Sequence, residues 1–487
     1  MHLPASTYPG AVPTTYDRLS AFDASFLHLE RVETPMQVGA VAVLEAAPFF
    51  DARGRFRLQE VRELVGSRLH LIPRFRKRIM HVPFGVGYPV WVDDERFDIA
   101  HHVHLTRLPP RGHRRDLLVL AERLMSQLLD RERPLWELWF VEGLDNGEHV
   151  GLIHKSHHTL TDGISGVDIA TVLLDFTPEP TVLDPPEWVP APPPDPARLM
   201  VDTMCERVTQ SARVVRAGKR AADAPNQVVE QVGRLARSFG ALVGGNPLAP
   251  RLSLNTSVGP KRRLELVRVP LDITKVVRNA FGCTVNDVVL AAVGAGLARL
   301  LDERGELRDD LIVKVVCPVS VRDDSEHMKL GNRLSLMFVP LHVGEKDPQA
   351  RLTAVSASTI DLKEREQALS AATLLNLSEY AAPTILGLAS RAVHAQPLVN
   401  LMVTNVPGPQ VPLYCLGAQM LEVYPIVPLT KNLTVNIAVM SYCGQLHVGI
   451  FADPEAAPDI EVLAGALEDG FEELSVLASA VAPKPEG

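Results

Sequence analysis

No two of the five cysteines, Cys205, Cys283, Cys317, Cys415 and Cys443, stand at Cys-x-x-Cys spacing. Neither a zinc knuckle nor a disulfide framework is expected, and an odd number of thiols fits a reducing cytosol. Positive charge is not in excess either. The formal net charge is -9, which argues against a general nucleic-acid binder. Long apolar runs are missing too. The nearest, residues 288–298, is cut by Arg299, and residues 374–389 are interrupted by Asn376, Glu379 and Pro383. A bilayer span needs about 20 apolar residues, so the first of these reads as a buried core helix. The first 17 residues are rich in Pro, Thr and Tyr, and lack the basic start and apolar core of a signal peptide. A cytoplasmic chain that meets a membrane only from its surface is the expectation.

What is there suggests two α/β units. A chain of 487 residues exceeds what one hydrophobic core usually holds, and 46% hydrophobic with 22% charged residues is ordinary for a soluble protein. Residues 18–180 alternate strand-like and helix-like stretches. The Val-rich run 38–44 reads as a buried strand, and the leucines of 117–129 fall near helical spacing. Residues 181–250 are a Pro-rich linker followed by a basic helical segment. Nine prolines between Pro178 and Pro196 exclude helix interior and central strand there. From Arg198 to Phe239 eight basic side chains stand against four acidic ones, a local charge of +4. Such a face is either simply solvated or a surface for anionic lipid head groups. Residues 251–480 alternate again, with strands expected at 311–316 and 334–339 and a helix at 285–301.

The chemistry concentrates in His157-His158-Thr159-Leu160-Thr161-Asp162-Gly163. A turn at Asp145-Asn146-Gly147 leads into an apolar strand from Val150. Alternation would put His154, Ser156 and His158 on one face and Lys155 and His157 on the other. The strand should end near Thr159, with helix resuming over 167–174. Three readings compete at the histidines. A metal pair His154/His158 needs a helix that the strand denies, and His101, His102 and His104 have no carboxylate or thiol at useful spacing. The histidines could be satisfied packing residues. Or His158, at the end of a strand, could be a general base.

The His-His-x-x-x-Asp-Gly pattern resembles the active-site motif of the CoA-dependent acyltransferases related to chloramphenicol acetyltransferase, carnitine acyltransferases and condensation domains. Other segments narrow the resemblance. They are Phe22-Asp23-Ala24-Ser25-Phe26-Leu27 with Thr34-Pro35-Met36, Arg133-Pro134-Leu135-Trp136, Asn286-Asp287, Pro318-Val319-Ser320-Val321-Arg322 with Gly331-Asn332, Thr404-Asn405-Val406-Pro407-Gly408-Pro409, and Ser441-Tyr442 with Gly444 and Leu446. Together they are similar to the bacterial wax ester synthase/diacylglycerol acyltransferase family over residues 19–477.

The resemblance implies a two-domain, chloramphenicol acetyltransferase-like α/β fold, with mixed sheets, flanking helices and the active site between the domains. It implies acyl transfer from acyl-CoA, as substrate and without a cofactor, to diacylglycerol or a long-chain alcohol. It implies work at a membrane or lipid-droplet surface. His158 would be the base and His157 its neighbour in the catalytic motif. Asp162 would pair with Arg322 to hold the loop, and Gly163 would allow close backbone approach. Asn286, Thr404 and Asn405 are candidates for oxyanion or substrate contacts, with a helix cap the alternative for Asn286. Pro134 and Trp136 would line the acyl channel or the core. No metal is expected. Two other readings stay open: an acyltransferase acting on a polyketide-type alcohol or an amine, and a non-catalytic lipid-binding protein.

Overall fold

A computed structural model describes residues 16–161, 166–206, 248–320, 334–367 and 398–481. Asp162, Gly163 and Arg322 therefore lie outside the described residues, as does most of the basic segment.

The amino-terminal half runs β1 (Asp17–Arg18), α1 (Ala21–Leu29), β2 (Gln37–Glu45), α2 (Leu58–Arg68), β3 (Lys77–Met80), β4 (Val90–Asp93), β5 (Val103–Arg107), α3 (Arg114–Met125), β6 (Trp136–Leu144), β7 (His149–His157) and α4 (Gly166–Leu173). The carboxy-terminal half runs β8 (Arg263–Pro270), α5 (Leu271–Phe281), α6 (Val285–Glu303), β9 (Ile312–Ser320), β10 (Leu334–His342), α7 (Pro348–Gln367), β11 (Leu401–Pro407), β12 (Tyr414–Cys415), β13 (Ala418–Ile426), β14 (Val435–Tyr442), β15 (Gln445–Ala452) and α8 (Ile460–Val481). Among the described residues two mixed six-stranded sheets result, ordered β12-β13-β2-β7-β6-β5 and β10-β9-β11-β14-β15-β8, beside a small sheet β1-β4-β3.

Local chemistry explains the elements that hold the site. The β6–β7 hairpin closes where Asp145, Asn146 and Gly147 all take positive φ, which Asn and Gly tolerate best. Alternation along β7 then sends Ile153 to α3, with Leu117, Leu118 and Ala121, and Val150 and Leu152 to the opposite core with Phe140. The helix expected at 117–129 starts earlier and stops at Met125. A capping box between His113 and Asp116 sets its start, and Leu128 is left outside and exposed. Helix α6 is likewise fixed by a box between Thr284 and Asp287.

Strand β13 comes from the carboxy-terminal half but pairs antiparallel with β2, Ile426 opposite Gly39 and Tyr424 opposite Val41. Residue ranges along the chain do not express this exchange, because the sequence of a strand does not say which sheet it joins. Glu422 on β13 clasps the halves. Its buried carboxylate takes Arg114 Nη1 and Nη2 at 2.6 and 3.0 Å and Arg268 Nη1 at 2.8 Å. The Tyr424 hydroxyl adds a bond of 2.9 Å. The Pro-rich stretch is laid on the amino-terminal half. The Ala191 N–H donates to Asp93 at 3.0 Å, and the Arg76 guanidinium sits 5.0 Å over the Trp188 ring.

Among the described residues no single helix is long and apolar enough to cross a membrane. Only α5 and α6 taken together pass on length and composition, across a 104° bend. Most of α6 is core, from Val288 to Leu301.

Candidate active site

Strand β7 ends at His157, two residues before the expected end, and His158–Thr161 form a 3₁₀ turn. The turn, rather than strand alternation, therefore separates the two imidazoles. Backbone bonds fix the exit. The His157 N–H donates to Leu135 O at 3.0 Å, and the His158 N–H to Met36 O at 2.8 Å. The Pro134-Leu135-Trp136 segment thus runs beside the motif and holds its backbone.

His157 is 1% exposed. Its Nδ1 accepts from the Thr159 N–H at 3.1 Å and lies 2.7 Å from Thr159 Oγ1. A nitrogen that accepts an N–H carries no proton, so the neutral ring bears its hydrogen on Nε2. That atom lies 3.3 Å from Glu30 Oε1, a close polar contact less well aligned than a good hydrogen bond. Both nitrogens of His157 are occupied, which suits a positioning group.

His158 is half-buried. Its ring stacks on Phe26 of α1, centroids 4.0 Å apart and planes 14° apart, and Phe22 braces Phe26 edge-on at 5.0 Å. Burial pushes the imidazole pKa down to about 4, against a backbone hydrogen bond that raises it. A general base usually works best with a pKa near the working pH, and burial takes this ring lower. At neutral pH it is uncharged, which is the form that can accept a proton.

Glu30, which follows α1, escaped the sequence reading. Its side chain is 2% exposed. Burial raises its pKa, but contacts with His157, Arg131 and the Met36 N–H outweigh this and hold it at about 2. Arg131 Nη2 donates to Oε2 at 2.8 Å and the Met36 N–H to Oε1 at 3.1 Å. The loop it organises is also held from the other half, where Arg262 Nη2 donates to Glu33 O at 2.5 Å. No motif marks Glu30, because its side-chain partners, Arg131 and His157, lie about a hundred or more residues away in the chain.

The remaining candidates are placed as follows. Trp136 is fully buried, stacked on His102 at 4.6 Å, its Nε1–H donating to Phe75 O at 2.8 Å. That is a core position. Pro134 is buried beside it. His102 spends Nδ1 on Trp136 O at 2.9 Å and also stacks on Phe97. Asn286 is half-buried in the first turn of α6, while the cap itself is made by Thr284 and Asp287. Thr404 and Asn405 are half-buried on β11. There β11 stays paired to β14 through Pro407, but pairs with β9 only at Leu401 and Met402. Pro318 of β9, which has no N–H to give, stands where that ladder stops. The two residues thus sit where the sheet begins to part.

The chain matches the sequence profile of the wax ester synthase/diacylglycerol acyltransferase catalytic domain over residues 19–289 and that of the WS/DGAT C-terminal domain over 330–475. Two proteins of Mycobacterium tuberculosis, provisionally named diacylglycerol O-acyltransferases, are 32% and 34% identical to it. The alignments cover 97% and 94% of this chain and 92% and 99% of theirs. Among solved structures, the wax ester synthase/diacylglycerol acyltransferase of Marinobacter aquaeolei VT8 superposes with a TM-score of 0.65 at 26% identity, covering 95% of this chain and 100% of that one. The trichothecene 15-O-acetyltransferase of Fusarium sporotrichioides shares the fold at 12% identity, with a TM-score of 0.58 over 94% of this chain and 95% of that one. The chain is thus an acyltransferase that belongs to the wax ester synthase/diacylglycerol acyltransferase family.

Proposed function

We propose that this enzyme transfers a long-chain acyl group from acyl-CoA to the hydroxyl of diacylglycerol, with His158 as general base and a long-chain alcohol as a second acceptor. The observation that carries the reading is a neutral, half-buried imidazole held at the end of β7 against an aromatic face. The acceptor O–H gives its proton to His158 as the oxygen attacks the thioester carbonyl carbon. The C–S bond then breaks, and the departing thiolate takes the proton back from the imidazolium. No cofactor and no acyl-enzyme enter this scheme. The face of Phe26 suits the step, since an aromatic face attracts the cation that forms once the proton has moved.

Asn286, Thr404 and Asn405 are the proposed donors for the oxyanion, supported by their position at the start of α6 and at the parting of β11 from β9. Asp162 and Arg322 are the proposed ion pair that holds the loop after the histidines. The acceptors are lipids, so the enzyme is taken to work peripherally on a membrane or lipid droplet, with the basic segment meeting anionic head groups. The names of the Mycobacterium relatives favour diacylglycerol as acceptor. The test is release of CoA from palmitoyl- or oleoyl-CoA across a panel of dioleoylglycerol, hexadecanol and a long-chain amine. Turnover with the amine alone, or with none of the three, would defeat the reading.

A further inference from the structure

We propose that Glu30 is a positioning residue of the acyl-transfer site, acting through His157 and Met36 on the backbone that presents His158. The inference rests on the reading of His158 as the base. A carboxylate whose side chain is 2% exposed has given up nearly all its water, so its surroundings must supply what water did. Three groups do so, the Met36 N–H and His157 Nε2 at Oε1 and Arg131 at Oε2.

Two of those groups lead directly to His158. Met36 accepts the His158 N–H through its carbonyl. His157 accepts the N–H of Thr159, the next residue, through Nδ1. His158 is therefore held at its own N–H and at the one after it, and both holds run back to one carboxylate. The pull of Glu30 on Nε2–H also selects the tautomer that leaves Nδ1 free to accept. With the other tautomer, Nδ1–H would face the Thr159 N–H, donor against donor, and the turn that carries His158 would have to move. Arg131 fixes the second carboxylate oxygen, so the group cannot swing away.

Glu30→Gln keeps the size and an acceptor for Met36 but removes the charge. It is expected to fold, and to lower kcat by about 10²-fold, the scale of a misplaced catalytic group. KM for acyl-CoA should stay within about twofold, since no substrate contact is lost. In ¹⁵N-histidine-labelled protein the His157 ring of the wild type should show a single Nε2–H tautomer, and Glu30→Gln a mixture. Loss of stability alone would move neither kcat in the folded variant nor the tautomer. A folded Glu30→Gln with wild-type kcat and an unchanged His157 tautomer would overturn the proposal. So would an Nδ1–H tautomer in the wild type, a result that does not depend on any variant folding. His158→Ala, measured alongside, separates the two ideas. If it stays active, the base assignment falls and takes this inference with it. If it is inactive while Glu30→Gln is not, only this inference falls.

Discussion

Acidification should slow this enzyme far less than it slows one with an ordinary histidine base. The perturbation is a change from pH 7 to pH 5.5. With an ordinary pKa of about 6.5, the neutral fraction of imidazole falls roughly eightfold over that range, and kcat/KM falls with it. The half-buried ring of His158 has its pKa pushed down to about 4 by loss of water. Its neutral fraction at pH 5.5 is then still about 97%. Even an acid limb centred one unit higher, near pH 5, would lower the rate by only about 1.3-fold over the same range. The sign follows from the chemistry, because burial disfavours the charged form and the neutral form is the active one. The assay is kcat/KM for acyl-CoA at fixed diacylglycerol from pH 4.5 to 8, in buffers of constant ionic strength, with stability checked at each pH. An acid limb centred near 6.5 would refute the reasoning, because it would mean a hydrated ring or one paired with a carboxylate.

The same physics acts on stability. His102 and His447 are 2% and 0% exposed, and burial pushes each to a pKa of about 4. Folded pKa values below the unfolded ones give stability that is complete above pH 6.5 and lost as pH falls towards 4. The loss should be about 2 kcal/mol for each residue at pH 5. Urea midpoints at pH 7 and 5 measure it, and His447→Leu should shrink the difference by about that amount. An unchanged pH dependence would contradict a neutral buried His447. Glu422→Ala should cost about 2 kcal/mol. That lies below the penalty for a fully buried pair because Arg114 and Arg268, 43% and 52% exposed, can rehydrate. A thermal midpoint equal to that of the wild type would show that the clasp between the halves contributes nothing.

Local signals made much of the fold legible. The Val-rich strand, the Asp-Asn-Gly turn and the apolar helix after Thr284 are short-range patterns, and each element lies within a few residues of its expected place. The histidine motif was legible for the same reason, since its spacing is local. The geometry changed the account of why its two rings differ. His157 is enclosed by Thr159 and Glu30, and His158 leaves the strand in a turn that strand alternation does not describe. Glu30, the stack of Phe26 on His158 and the crossing of β13 into the other sheet could not be read in advance. Each depends on residues far apart in sequence, brought together only when the sheets assemble.

His158→Ala tests the central claim most directly. CoA release with oleoyl-CoA and dioleoylglycerol should fall by roughly 10²–10⁴-fold, with the thermal midpoint near that of the wild type. A folded His158→Ala enzyme that turns over at close to the wild-type rate would contradict the assignment of the base.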